Sequence, residues 1–328
     1  MENLTVSKLC VKLNTLHYIR DQLDELETSI KQSWVATKTM DHQIYGGFTE
    51  ESTSSEFVDE LFTVFDDIRT NAIEASDVIL DFIGSRAIFW DTRHTFLFSL
   101  YRGGVKSARL DTFLPELDGV LDRICGLIID ELRDQVVLSV CKASMVGYSW
   151  VMLDGGPSRA FSHTEVELMH EDLNMLKDLF EANGQGIPHE VVNKEAKEAE
   201  EILELYSMKA EAIIDKLINS SKQLSQLNDC KKPGNRCAND ADTLLRVLCH
   251  MKDEYASEFL RVRYQLRKSS DYEEANGHGK EPTSKSPLLT DISKGNSSSG
   301  WTETGQRSFR IMKKKFHEAA SEFRQSAW

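Results

Sequence analysis

The string with the most chemical potential is Asp154-Gly155-Gly156-Pro157-Ser158-Arg159. A glycine-rich turn exposes backbone N–H groups that can cradle a phosphate, and an arginine beside it adds charge. The spacing fits neither a dinucleotide fingerprint nor a P-loop, and no strand precedes it. Helix punctuation accounts for each residue instead. Gly155 and Gly156 stop one helix, Pro157 stiffens the turn, and Ser158 and Arg159 lead toward Ser162, which caps the next.

Other reactive side chains assemble even less. Cys230 and Cys237 lie seven apart, with Cys249-His250 beyond, whereas structural zinc pairs are separated by two to four residues. His189-Glu190 lacks the second histidine of a zinc-protease helix. The run Glu195, Glu198, Glu200, Glu201, Glu204 reads as a solvated helix face. No pairing of acid, base and nucleophile emerges, so neither an enzyme nor a cofactor or metal site is expected.

The end of the chain is different. Residues 307–328 carry Arg307, Arg310, Lys313, Lys314, Lys315 and Arg324 against Glu318 and Glu322. Phe309, Met312, Phe316 and Phe323 share one face of a helical wheel. That pattern fits an anionic membrane surface; the bland alternative is a helix docking on the protein's own acidic body or in a partner's groove.

These candidates sit in a sequence built for long helices. Six prolines in 328 residues leave only Pro115, Pro157 and Pro188 before residue 230. Leu9, Leu13, Leu16, Leu23, Leu26, Ile30 and Trp34 step by threes and fours, predicting a helix over about 6–38 with a loop at 41–55. Phe65, Ile68, Ala72, Ala75, Ile79 and Phe82 predict a second helix from about Ser55 to Tyr101, weakest at Gly84. A third runs from about Asp111 through the apolar stretch Val136–Leu153, read as a buried core helix rather than a membrane span. Ser162 and Glu165 form a capping box, Asn183-Gly184 a stop, Pro188 a helix start, and Ser207 a further cap. A last helix covers 242–266 with a break near Asp253. The expected fold is all-α, an elongated helical bundle, longer than it is wide. Residues 268–306, rich in Ser, Gly, Asn and Lys, are expected to be disordered.

The formal net charge is −14, with ten basic and eight acidic residues in 268–328, so the acidity belongs to the body. Nucleic acid is therefore not expected as a partner. Scattered cysteines and an N-terminus without a leader pattern point to a cytoplasmic chain.

Several strings resemble one family. Leu9-Cys10-Val11-Lys12-Leu13-Asn14-Thr15-Leu16 is similar to the opening of a block in plant MUN-domain proteins, homologues of the animal Unc-thirteen vesicle-priming factors. Gly155-Gly156-Pro157-Ser158-Arg159-Ala160-Phe161, the helix from Asp172 to the stop at Asn183-Gly184, and Thr243-Leu244-Leu245-Arg246-Val247-Leu248-Cys249 resemble later blocks in the same order. The resemblance spans about residues 4–267. It implies MUN-type helices over 1–102, a second Munc homology domain over 103–217, closing helices over 218–267, and then the linker 268–306 and basic helix 307–328. It also implies a non-enzymatic role in vesicle tethering or priming during exocytosis of plasma-membrane proteins, with SNARE or other trafficking proteins as partners and a peripheral membrane location. The first Munc homology domain would lie outside this chain, so autonomous priming is not expected of it. The alternative is a helical adaptor that oligomerises through its N-terminal helix.

Overall fold

The computed structural model describes residues 5–44, 51–156, 158–224 and 240–264. Among them the chain is helical, with one isolated parallel bridge between Phe161 and Met251 in place of any strand. The all-α expectation holds. Pro157, the linker 268–306 and the helix expected at 307–328, including Phe309, Met312, Lys313, Lys314, Lys315, Phe316 and Phe323, lie outside the described residues.

Helix α1 (Val6–Ile44) and helix α2 (Glu51–Arg86) enter the expected loop from both sides and pair along their length. Lys31 meets Phe62, while Asp24 and Glu27 meet Arg69, so the two run antiparallel. The residues of α1 turned inward are Leu9, Leu13, Leu16, Arg20, Leu23, Glu27, Ile30 and Trp34. Those of α2 are Phe62, Phe65, Arg69, Ala72, Ser76, Ile79, Ile83 and Arg86. Both sets alternate steps of three and four, so each seam can be lettered as a heptad. Leu26 and Ile68, expected in the stripes, stand outside the seam, and Glu27 and Arg69 take the places beside them.

Only one end of this hairpin rests on the body. Leu9, Cys10 and Leu13 of α1 and Ile79, Leu80 and Ile83 of α2 join the main core, while the described part of α1 beyond Leu13 has no fully buried residue. Gly84, anticipated as a weak point, is instead a packing point: a Cβ there would collide with the Ser139 backbone carbonyl, and α2 continues through it. After Arg86 the expected α-helix widens into π-helical turns at Ala87–Asp91 and His94–Ser99.

The single helix expected from Asp111 is two. Helix α3 (Leu114–Cys125) stops, and helix α4 (Arg133–Asp154) starts after a short 3-10 turn. The reason is a distant residue. Asn14 of α1 donates from Nδ2 to the Leu127 carbonyl at 2.9 Å and accepts from the Ile129 N–H at 3.3 Å, satisfying the opened backbone. Helix α4 then packs against α2, the π-helical turns and the later helices. The segment Asp130–Asp154 is long and apolar enough to cross a membrane, but 72% of its apolar window is buried inside the fold, as a core helix requires.

Helix α5 (Val166–Glu181) follows the capping box at Ser162 and Glu165, and ends in left-handed Ala182, Asn183 and Gly184. Pro188 precedes helix α6 (His189–Ser207). Ser207 closes α6, its hydroxyl bonded back to the Leu203 carbonyl, rather than capping helix α7 (Ala210–Leu224). The final pair, α8 (Ala241–His250) and α9 (Glu254–Tyr264), breaks at the expected place. Asp240 and Asp253 cap them through the N–H groups of Thr243 and Ala256.

Candidate functional site

The glycine turn aims its cationic side chain into the fold. Arg159 is 3% exposed, and its guanidinium points inward, donating from Nε to Leu100 O and from Nη2 to Leu97 O, both at 2.7 Å, and to Gly155 O. It thereby satisfies carbonyls at the end of the second π-helical segment. Burial, and then the nearby Arg102, lower its pKa to about 10, which leaves it cationic at neutral pH. Gly155 lies under this side chain, where a Cβ would meet Arg159 Cδ and the Val151 carbonyl. Gly156 has φ +90°, and the Ser158 carbonyl accepts from Gly103 N–H. His250 hydrogen-bonds through Nδ1 to Arg159 O at 2.7 Å, and Phe161 exchanges backbone bonds with His250 and Lys252. Gly155, Gly156, Ser158 and Arg159 thus tie α4, the π-helical turns and α8 together, as a structural turn.

A second buried knot lies nearby. Asp172, fully buried on α5, accepts from Tyr101 Oη at 2.8 Å and from Arg109 Nη2 at 2.6 Å, and Tyr101 Oη also meets Tyr148 Oη at 2.8 Å. Burial raises the pKa of both tyrosines, so they remain neutral hydroxyls. Burial also raises the thiols of Cys10 to about 11 and of Cys141 and Cys249 to about 12, far from the thiolate that nucleophilic chemistry needs. Among the described residues no three metal-ligating side chains cluster.

The surface with the most unusual chemistry is the α1–α2 hairpin. With the seam residues taken as heptad positions a and d, Ile19 and Leu26 of α1 and Leu61, Ile68 and Ala75 of α2 all fall at g. In an antiparallel pair the g positions share one side, and the pairing register sets Leu26 opposite Ile68 and Ile19 opposite Ala75. Val64 and Val78, at c, widen the same strip. Leu26 is 50% exposed and Ile68 39%, and Ile19, Val64 and Val78 are exposed too. Along its outer border runs a row spaced by seven: Glu60, Asp67, Glu74 and Asp81, all exposed. None of the four forms an ion pair or hydrogen bond within the described residues. The opposite flank is charge-paired and anchored: Asp24, Lys31, Asp66 and Arg69 interact there, and Leu80 and Gly84 contact the body through Ser139. One side of the hairpin carries the ion pairs and the body contacts, with Ile73 exposed among them, and the other presents an apolar strip with an acidic edge. Sequence reasoning missed this strip because it treated each helix separately; the heptad step through the charged Glu27 and Arg69 was the signal.

The fold and this surface define an all-helical, groove-bearing protein. A family model described as "PATROL1-like, TPR repeats" matches residues 1–270. "Protein unc-13 homolog" of Arabidopsis thaliana is 36% identical over 261 residues, covering 80% of this chain and 23% of its own length. The chain belongs to the PATROL1-like family. It spans about a quarter of the length of that curated relative. No solved structure matches it.

Proposed function

We propose that the chain is a non-enzymatic tethering or scaffold protein in the exocytic trafficking of plasma-membrane proteins, acting by binding partner helices. The observation that carries this reading is the one-sided apolar strip of α1–α2 with its acidic edge, which suits an amphipathic helix with basic flanks. Membership in the PATROL1-like family and similarity to a protein named for Unc-13 support the trafficking role. On this reading SNARE or other trafficking proteins supply the partner helices. The protein works in the cytoplasm, peripherally on the plasma membrane or secretory vesicles. The test is capture of SNARE proteins from a plant extract by the full chain at mild salt. Enrichment of SNAREs that falls in an Asp67→Lys/Glu74→Lys/Asp81→Lys variant supports the reading; unchanged or absent SNARE capture contradicts it.

A second reading is self-association through α1. It is favoured by Val11 and Tyr18, both more than 60% exposed on the outer face of α1. Light scattering over a concentration series separates the two, since a mass that stays monomeric removes the oligomer.

A further inference from the structure

The two π-helical turns bury some neighbours in sequence and expose the next. Ala87, Ile88 and Phe89 are all buried, and so are Phe96 and Leu97. A π-turn holds more residues than an α-turn, so consecutive side chains stay closer to one side of it. Hydroxyls hold the wide turns open. Thr92 Oγ1 donates to the Ala87 carbonyl at 3.0 Å, and Ser99 Oγ donates to the His94 carbonyl at 2.7 Å, each five residues back. Outward from these turns stand Trp90, which is half-buried, and Phe98, which is 47% exposed.

The outward side chains touch one another in a row. The Arg86 and Arg93 guanidiniums lie over the Trp90 ring, 5.6 and 5.7 Å from its centre. Arg93 Nε donates to His94 Nε2 at 3.4 Å, and the His94 and Phe98 rings stand edge to face at 5.5 Å. The same stretch reverses the sign of the body's charge. Residues 86–106 hold Arg86, Arg93, Arg102 and Lys106 against Asp91, which bonds Arg86 at 3.1 Å. Arg102 and Lys106 are exposed. Asp81, the last acid bordering the apolar strip, projects about 140° around α2 from Arg86.

We propose that this face of the π-helical turns docks on an anionic lipid bilayer. Trp90 and Phe98 sit at the headgroup level, and Arg93, Arg102 and Lys106 meet the lipid phosphates and carboxylates. The inference rests on the peripheral membrane location proposed above and names the contact that supplies it. Tryptophan, phenylalanine and arginine side by side on a surface suit the membrane–water boundary. A nucleic acid would need a free ring to stack on, and guanidiniums already cover Trp90 in a chain of net charge −14. An acidic peptide docks through a groove or through main-chain groups. Here the carbonyls of Ala87, His94 and Leu97 are already bonded, so the side chains carry the contact. A bilayer needs nothing more. Because the rest of the body is acidic, the contact is local, reversible and weakened by salt.

The test is sedimentation of the full chain with phosphatidylcholine–phosphatidylserine vesicles, against phosphatidylcholine alone, at low and high salt. Pelleting is expected on the anionic vesicles only, and less at high salt. It should fall at least tenfold in Arg93→Glu/Arg102→Glu and several-fold in Phe98→Ser, with thermal melts confirming that each variant is folded. A second readout leaves the charges intact. Vesicles with brominated acyl chains should quench part of the tryptophan emission, and that part should disappear in Trp90→Phe. Loss in the patch variants supports the proposal whatever Lys313→Glu/Lys314→Glu/Lys315→Glu does. Pelleting that survives the patch substitutions would overturn it, and its loss in the triple lysine variant would then give the membrane to the tail. Quenching unchanged in Trp90→Phe would also overturn it. So would absence of pelleting; binding of poly-glutamate by wild type but not by Arg93→Glu/Arg102→Glu would in that case assign the patch to an acidic protein segment. The vesicles carry no protein, so failure removes this contact and leaves the helix-binding reading to be judged by SNARE capture.

Discussion

Glu27 and Arg69 meet across the seam of the α1–α2 hairpin, at positions where apolar side chains are usual. Asp24 and Asp66 also accept from Arg69, at 2.7 and 2.6 Å, and Lys31 bonds Glu27 from the same side. Charged groups in a seam cost stability compared with leucine but admit few registers. Here they fix the register that brings Ile19 and Leu26 alongside Ala75 and Ile68.

This cluster makes the hairpin acid-sensitive. Lys31 and then Arg69 hold the Glu27 carboxyl below the usual glutamate range. A lowered folded-state pKa means that the stabilisation is complete above the ordinary glutamate pKa and is lost as pH falls through the lowered value. Thermal melts should show part of the acid destabilisation of the full chain disappearing in Glu27→Gln. Glu27→Leu/Arg69→Leu should be at least as stable as wild type at pH 7, whereas Arg69→Leu alone should be weaker, because it leaves Glu27 in the seam with Lys31 as its remaining cation.

The Asp172 knot should matter more for stability than any surface ion pair. Asp172→Ala leaves the Tyr101 hydroxyl and part of the Arg109 guanidinium without their buried acceptor. A loss of about 3–5 kcal/mol is expected, measured by urea unfolding. Tyr101→Phe removes the hydroxyl and should cost about 1–3 kcal/mol.

Arg159 should tolerate no conservative replacement. Its planar fork reaches carbonyls of Leu97, Leu100 and Gly155 at once, which a single ammonium cannot match. Arg159→Lys should destabilise by about 2–4 kcal/mol in the same measurement. Inorganic phosphate should leave the melting temperature of the wild type unchanged, since the turn aims its charge inward.

His250 adds a second pH dependence. It is buried, and burial lowers its pKa below the ordinary histidine value, so it is neutral in the fold and takes up a proton on unfolding. Its contribution is therefore complete above about pH 6.5 and falls as pH drops toward the lowered value. Unfolding free energy measured between pH 7.5 and 5 should decline in wild type and decline less in His250→Gln.

The sequence made some of these elements legible and hid others for definite reasons. Helix ends written in local chemistry were readable: the Ser162–Glu165 capping box, the Asn183-Gly184 stop, and the break near Asp253. Those set by a distant residue were not. The break between α3 and α4 depends on Asn14, more than a hundred residues away in the chain. The role of Arg159 depends on carbonyls far upstream. In the hairpin, counting only apolar residues placed Leu26 and Ile68 inside, because the seam passes through Glu27 and Arg69 and an apolar count skips charged positions. That one-residue shift conceals the exposed strip.

The groove reading is tested most directly by one comparison. Full chains carrying Leu26→Asp/Ile68→Asp on the strip, or Asp67→Lys/Glu74→Lys/Asp81→Lys on its border, are used to capture SNARE proteins from the same extract, and the bound amounts are quantified against wild type. A several-fold drop in bound SNARE is expected for both variants. Capture equal to wild type by both would contradict the reading.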